Sequence, residues 1–349
     1  MNQRFAAQLL SGQPARSVLG VVDRLLAVQG QDPRGVRLAV RARSVGLTAA
    51  DVDRALTVDR SVIITWLNRG TLHLVRTDDY WWLRELTTPP LFSGNARRLA
   101  QEGVSPQAAE RGVAAIEQAL RSEGPLTRAQ LRDRVAAADV RVQGQALVHV
   151  LVLASLRGLT VRGPIVDGDH AYVLVSEWLD PPPGPVDRDV ALAELARRYL
   201  AGHGPADDRD LAKWAGIPLR DARRGLTAIG DRLGRRDDGL LELARPHRTG
   251  QLPPPRLLGA FDPLLLGWAA REWILGGDTR TVTVNGLFRP FALVRGRAVA
   301  TWTMAGRRVA MHPFHPIDPA DAAALDADAA DVARFLGQGQ AGNAARQEA

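Results

Sequence analysis

A repeated pattern constrains the fold of this 349-residue chain more than any other feature. Residues 124–131 read Gly-Pro-Leu-Thr-Arg-Ala-Gln-Leu, and residues 204–211 read Gly-Pro-Ala-Asp-Asp-Arg-Asp-Leu. In each copy a Gly-Pro turn leads to a polar residue and then to a helix, and Thr127 with Gln130 forms a predicted capping box. An amphipathic helix precedes each copy, and a third helix and a β-hairpin follow it. Three helices and a hairpin are the components of a winged helix.

The N-terminal segment has the same predicted order of three helices and two strands. The sequence therefore predicts three tandem winged-helix units, at residues 1–95, 105–180 and 186–246. The N-terminal elements are helices at 18–28, 36–43 and 48–56 and strands at 63–67 and 72–75; the later hairpins pair 159–162 with 172–175 and 233–236 with 240–243.

The remaining third of the chain is predicted to be a β-rich element at residues 255–316. Its strands are expected at 281–284, 287–294 and 298–304, separated by turns at Asn285-Gly286 and 295–297. Arg289, Arg295 and Arg297 would suit a hairpin inserted into a DNA groove; an ordinary solvent-facing hairpin is the alternative. A helix at 317–336 and a disordered, low-complexity tail at 337–349 complete a fold predicted to be α+β and mostly helical.

The composition excludes several classes of chemistry. The chain has no cysteine, which rules out disulfides, thiolate nucleophiles and zinc fingers. His312 and His315 are flanked by prolines and lack a third ligand, so neither a metal nor another cofactor is expected. No apolar run reaches the length of a membrane span and no signal-peptide pattern is visible, so we expect a cytoplasmic protein without a membrane partner.

The net charge is +7, and Lys213 is the sole lysine among 45 basic residues. Arginine binds phosphate in a bidentate manner and keeps its charge, so the balance favours a polyanionic partner such as nucleic acid. A general bias of the genome toward arginine is the alternative reading.

The segment Gln29-Gly30-Gln31-Asp32 follows a predicted helix with apolar residues on one face. Pro33 disfavours helical backbone at Asp32, so this helix is predicted to end near Gln31. Two uncharged amides would then project from a helix terminus. They could serve only to cap the turn, or they could form a site.

Four segments carry a resemblance to the AlkZ/YcaQ winged-helix DNA glycosylases, in the same order over nearly the whole chain. They are 28–32 (Val-Gln-Gly-Gln-Asp), 69–75 (Arg-Gly-Thr-Leu-His-Leu-Val), 260–265 (Ala-Phe-Asp-Pro-Leu-Leu) and 296–302 (Gly-Arg-Ala-Val-Ala-Thr-Trp). The resemblance implies tandem winged helices in a C-shape around a DNA channel. It also implies excision of N7-alkylated purines and unhooking of interstrand cross-links; some members protect the producers of DNA-alkylating natural products.

The resemblance implies that Gln29 and Gln31 are catalytic, since they match the Gln-Φ-Gln signature of the AlkZ branch, with Gly30 in place of an aliphatic residue. Alkylation at N7 makes the purine cationic, so the departing base needs no proton from an acid. Glutamine oxygens can orient the attacking water, and such placement lowers a barrier by roughly 7–11 kcal/mol at best. Asp32 is a candidate oxocarbenium stabiliser or base, or alternatively a turn cap.

Arg69 and His73 lie on the predicted first wing, where strand alternation turns His73 to the face opposite Leu72 and Leu74. Both are candidates for contact with DNA or with the catalytic loop; a structural histidine is the alternative. A base tied to the opposite strand cannot be flipped out fully, so an enzyme for cross-links must bring its catalytic residues to the DNA.

A glycosylase that also nicks the strand needs an amine to form a Schiff base with the sugar. Because Lys213 is predicted to lie on the face of a packed helix, we expect a monofunctional enzyme. Its partner would be double-stranded DNA, and the absence of coiled-coil heptads favours a monomer. Two alternatives stay open: a non-enzymatic winged-helix regulator, which would usually dimerise, and a catalytically inactive paralogue, which Gly30 in the motif permits.

Overall fold

A computed structural model of the protein describes residues 1–244, 251–283 and 286–337. The chain forms two compact units, of which the first combines Met1–Val52 with the chain from Arg188 onward and the second is the continuous segment Asp53–Asp187. The fold is α+β, and about half of its residues are helical. The predicted unit at 1–95 is therefore divided between the two compact units, because its first helices pack with the C-terminal part of the chain.

The elements alternate between short helices and antiparallel strands. The helices are α1 (Asn2–Ala7), α2 (Val18–Leu25), α3 (Pro33–Arg41), α4 (Ala49–Thr57), α5 (Tyr80–Thr87), α6 (Leu91–Gln101), α7 (Pro106–Glu123), α8 (Arg128–Ala137), α9 (Ala146–Leu156), α10 (Val175–Trp178), α11 (Arg188–His203), α12 (Asp208–Ala215), α13 (Leu219–Ala228), α14 (Pro263–Leu266), α15 (Glu272–Leu275) and α16 (Pro319–Gly337). The strands are β1 (Val28–Gln29), β2 (Val62–Leu67), β3 (Thr71–Arg76), β4 (Thr160–Val166), β5 (Asp169–Leu174), β6 (Leu233–Arg235), β7 (Leu241–Leu243), β8 (Arg256–Leu258), β9 (Phe291–Val294), β10 (Arg297–Ala305) and β11 (Arg308–Pro313).

Polar residues start the helices of both repeated segments. The predicted capping box of Thr127 and Gln130 at α8 is confirmed, and Asp207 with Asp210 forms a second one at α12. Each box satisfies backbone N–H groups that the first helical turn leaves without a partner. The helix starts are therefore specified locally by the sequence.

In the second unit, the antiparallel strands β3, β2, β4 and β5 lie side by side in this order. Val62 to Leu67 are all buried, since helix α9 packs on this sheet. The predicted hairpins are confirmed, with Thr65 opposite His73 in β2–β3 and Val161 opposite Val173 in β4–β5. This sheet holds the predicted first-wing residues.

In the first unit, helices α2 and α13 pack on α11, and the predicted hairpin β6–β7 follows α13. The antiparallel strands β8, β9, β10 and β11 form the C-terminal sheet, in that order. Helix α16, predicted at 317–336, packs against β8 and α3. Strand β11, which the sequence did not indicate, extends the sheet through a hairpin that turns between Ala305 and Arg308.

Two predicted elements are wrong. Helix α2 ends at Leu25, short of the predicted end near Gln31, because Leu26 takes a positive φ of 64° and the chain continues as the short strand β1. Residues 281–283 form no strand; a single bridge joins Val282 to Phe288. Val284 and Asn285 of the predicted strand and turn, and the tail from residue 338, lie outside the described residues.

Candidate active site

The two glutamines lie in the connection between helices α2 and α3. The Nε2 atom of Gln29 donates to Oε1 of Gln31 at 2.5 Å. Gln29 is only 6% exposed, whereas Gln31 is exposed and Gly30 between them is buried. The pair thus joins a buried amide to one that faces solvent.

This arrangement is suited to hold a water molecule. An amide oxygen has two lone pairs, so Oε1 of Gln31 can accept a second hydrogen bond from a water besides the one from Gln29. The Gln29 bond also restricts the rotamers of the exposed side chain, which lowers the entropy that water binding must otherwise remove. The site offers polar groups without a formal charge.

Asp32 is the N-cap of α3. Its Oδ1 accepts the backbone N–H of Arg34 at 3.0 Å, and Pro33 occupies the first helical position. An aspartate cap followed by proline is a favourable helix start, since proline lacks the N–H that would otherwise have no partner. The capping alternative for Asp32 is thus realised in the structure, and the cap fixes the point at which the glutamine loop enters α3.

The segment 259–262 presses against the first turn of α3. A Cβ placed on Gly35 would overlap the carbonyl oxygen of Ala260 and would lie 3.3 Å from Cβ of Asp32. The backbone of Ala260 is therefore a neighbour of the helix cap beside the glutamine loop. A residue with a side chain at position 35 would force these two segments apart.

The next residue, Phe261, has a φ of 55° and is partly buried. Asp262 follows it and is completely buried with Arg43, to which it is joined by two hydrogen bonds of 2.7 and 2.9 Å. Oδ1 of Asp262 also accepts the N–H of Leu264 and so caps α14. Gln8 completes the cluster, since its Oε1 accepts from Arg43 at 2.8 Å.

Arg69 and His73 belong to the second compact unit. Arg69 lies in the turn between β2 and β3 with a φ of 53°. His73 is 2% exposed, and its Nδ1 donates to the Thr71 carbonyl at 3.0 Å. Burial, reinforced by the Arg69 charge, lowers the pKa of His73 to about 3. Both faces of β3 are covered, so the face opposite Leu72 and Leu74, on which alternation places His73, is buried as well. With this pKa the ring is neutral near pH 7, and it is hydrogen-bonded as in the structural alternative.

The predicted DNA-binding arginines of the β-rich element are all exposed. Arg295 and Arg297 flank the turn between β9 and β10, at the edge of an open cavity of about 690 Å³. Arg295 forms an ion pair with Asp321 at 3.1 Å, and Nη1 of Arg297 donates to the Glu272 carbonyl at 3.3 Å. Arg289 precedes β9.

Two further exposed arginines, at the end of the β10–β11 hairpin, were not predicted from the sequence as candidate DNA contacts. Arg307 and Arg308 are exposed beside Gly306, which has a positive φ of 55°. The glycine turn between two alternating segments was the available signal. These residues extend the basic surface of the C-terminal sheet to its longest hairpin.

Within the described ranges, no group of three or more His, Asp or Glu side chains is placed to hold a metal ion. His312, which was not expected to bind a metal, has its Nε2 atom 3.2 Å from the Thr303 hydroxyl across the β10–β11 hairpin. None of the helices in this described part of the chain is long and apolar enough to cross a membrane.

Comparison with known proteins gives the same family that the four sequence segments suggested. A family model described as DNA glycosylase AlkZ-like matches residues 22–335. The interstrand DNA cross-link repair glycosylase of Streptomyces sahachiroi is 27% identical over 357 residues, covering 96% of this chain and 95% of that protein. The solved structure of Streptomyces sahachiroi DNA glycosylase AlkZ has a TM-score of 0.77 at 26% identity, over 96% of this chain and 95% of the other. The chain therefore belongs to the AlkZ-like DNA glycosylase family.

Proposed function

We propose that this protein is a monofunctional DNA glycosylase that hydrolyses the N-glycosidic bond of N7-alkylated purines, including bulky adducts and interstrand cross-links. The observation that carries the proposal is the hydrogen-bonded pair of Gln29 and Gln31, which presents an uncharged polar group at the loop before α3. The similar protein from Streptomyces sahachiroi is named as an interstrand cross-link repair glycosylase. A role in repair or in self-resistance to a genotoxic natural product is consistent with such a substrate.

The chemistry needs little from the protein. An N7-alkylated purine is already cationic, so the bond to the sugar breaks with the electron pair moving to the base and without a proton from an acid. The remaining task is to hold a water behind the sugar, and Oε1 of Gln31 can accept a hydrogen bond from it. The water oxygen bonds to the anomeric carbon as the bond to the base breaks, and the proton that the water loses passes to solvent. A neutral, undamaged base would remain a poor leaving group in the same site.

Asp32 supports this site structurally, and His73 has a structural role within the sheet of the second unit. Asp32 fixes the start of α3 through its cap on Arg34. His73, with a pKa of about 3, stays neutral at physiological pH, so we assign it no proton transfer. Its ring holds the β3 backbone through Thr71.

DNA is held by arginines through its phosphates. We propose that Arg289, Arg295 and Arg297 contact the backbone, with Arg69 at the β2–β3 turn as a further contact and Arg307 at the hairpin end. Guanidinium groups bind phosphate oxygens in a bidentate manner.

The proposed product is an abasic site in an intact strand. The sole lysine, Lys213, lies on α12, where its Nζ donates to the Ala269 carbonyl at 3.2 Å. A Schiff-base nucleophile requires a neutral nitrogen at the sugar, and we propose that Lys213, which is exposed and holds the Ala269 carbonyl, does not serve as one.

The test uses duplex DNA that carries one N7-methylguanine. After incubation with the protein, mild alkali should cleave the strand at the lesion, and no cleavage should occur before alkali. A Gln29→Ala/Gln31→Ala double variant should abolish the product, whereas Gln118→Ala, an exposed glutamine of α7, should retain it.

Three other outcomes are informative. Undiminished cleavage by the double variant would show that the glutamines are not catalytic. No cleavage of any alkylated or cross-linked duplex would favour the regulator or the inactive paralogue. Cleavage before alkali would contradict the monofunctional mechanism.

A further inference from the structure

Phe261 is held in a backbone conformation that a bulky aromatic residue rarely adopts. Its φ of 55° lies in the left-handed region, where the Cβ approaches the backbone too closely for most residues. Such strained residues cluster at active sites and ligand clamps, because the surrounding structure must hold them there. The position of Phe261 therefore calls for a functional explanation.

Contacts on both sides of Phe261 fix this conformation. On one side, the Ala260 carbonyl lies against Gly35 in the first turn of α3. On the other, Asp262 is bound by Arg43 with two hydrogen bonds and caps α14. The strained residue thus lies between two anchors, and one of them adjoins the helix cap that follows Gln31.

The ring of Phe261 contacts Phe288, with centroids 5.7 Å apart and planes inclined by 49°. The guanidinium carbon of Arg271 lies 5.0 Å above the Phe288 ring, and Nε of Arg271 donates to the Leu265 carbonyl. Arg271 therefore occupies a face of Phe288. A tilted contact leaves Phe261 with a face that Phe288 does not cover, and both phenylalanines are only partly buried.

We propose that Phe261 stacks on the cationic purine and makes the site selective for N7-alkylated bases, with Phe288 as its support. This inference rests on the proposed function. An alkylated purine is a flat cation, which an aromatic face attracts both by stacking and through its quadrupole. The contact would favour the charged base over a neutral guanine and would leave its bulky substituent unconstrained, since a single face is engaged.

The test compares two variants with the same backbone strain. Phe261→Leu keeps an apolar side chain and removes the aromatic face, and Phe261→Tyr keeps that face. The probe is a duplex carrying 2′-fluoro-N7-methyl-2′-deoxyguanosine, which retains the cationic base and resists hydrolysis; the reference is the undamaged duplex. Loss of one stacked base corresponds to about 5- to 150-fold weaker binding.

We expect Phe261→Leu to weaken binding of the damaged duplex by such a factor, with binding of the undamaged duplex unchanged. Phe261→Tyr should retain the wild-type preference. Equal weakening for both duplexes would overturn the inference, because it indicates a purely structural role. If the wild type excises N7-methylguanine but Phe261→Leu keeps the full preference for damage, the inference alone fails. If the wild type neither excises the base nor distinguishes the duplexes, the proposed function fails too.

Discussion

The buried pair of Arg43 and Asp262 provides the most direct test of how the fold holds the segment beside the glutamine loop. Both side chains are completely inaccessible to solvent, and they are joined by two hydrogen bonds. Substituting Asp262→Asn preserves shape and capping ability but removes the negative charge. The guanidinium of Arg43 is then left in the interior with an amide group as its neighbour.

Removing one member of a buried ion pair costs about 3–5 kcal/mol, because the remaining charge is neither solvated nor compensated. For a compact unit of about 200 residues, each kcal/mol shifts the unfolding temperature by roughly 2–4 °C. We therefore expect Tm to fall by about 6–20 °C. The excision rate should fall too, since Asp262 anchors the backbone beside Phe261.

The free energy of unfolding is measured by urea denaturation, together with Tm. The matched control is Glu194→Gln, which removes the same charge from the surface pair with Arg197 and should cost less than about 1 kcal/mol. An Arg43→Met/Asp262→Asn double variant should recover part of the loss, because no buried charge remains. A loss below about 1 kcal/mol for Asp262→Asn would refute the reasoning.

Three further measurements test other parts of the structure. Gly35→Ala should lower stability by about 1–3 kcal/mol and slow base excision, because its methyl group overlaps the Ala260 carbonyl; Gly94→Ala, at a helical position with open space, should stabilise instead by about 0.4–1 kcal/mol. The pKa of His73 is lowered from 6.5 to about 3, so between these values the unfolded chain binds a proton that the folded protein does not, and stability should fall as the pH falls through this window. Urea denaturation at several pH values should show the free energy of unfolding changing by up to about 1.4 kcal/mol per pH unit, and His73→Gln should remove this dependence. The same pH dependence in His73→Gln would contradict the assignment. If ~6–10 phosphates are contacted, the DNA affinity should fall by a factor of about 10³–10⁵ between 50 and 200 mM salt. An affinity that does not change with salt would contradict phosphate binding by the exposed arginines.

The parts of the fold that depend on local patterns were predictable from the sequence. Capping boxes and hairpins are specified by residues three to fourteen positions apart. The turn at Asp167-Gly168 sets the β4–β5 register as far as Ile165, beyond which the register shifts before Arg162. The end of α2 was not predictable in this way. Pro33 was interpreted as the residue that stops a helix, whereas it begins α3.

Three of the four Asp-Pro pairs in the sequence stand at helix starts and could have corrected that interpretation, whereas Asp180-Pro181 begins no helix. Asp32-Pro33, Asp262-Pro263 and Asp318-Pro319 all stand at helix starts, and in each case the aspartate accepts a hydrogen bond from a backbone N–H two residues on. By contrast, no local sequence pattern predicts the contact of Gly35 with Ala260, because this contact joins segments 225 positions apart through tertiary packing. The sequence motif identified the two glutamines as candidates, but the residues that surround them could be identified only from the structure.

The uncharged glutamine pair and the strained phenylalanine divide the tasks of the proposed enzyme. Because the lesion carries its own positive charge, the leaving group is activated before the protein binds, and Gln29 with Gln31 needs only to place a water. Discrimination must then come from recognition of that charge. Phe261 supplies a face for a cation, and the anchors at Gly35 and Asp262 fix it beside α3. A bulky adduct adds atoms at the purine edge, so an aromatic contact on the face accepts it without enclosing it.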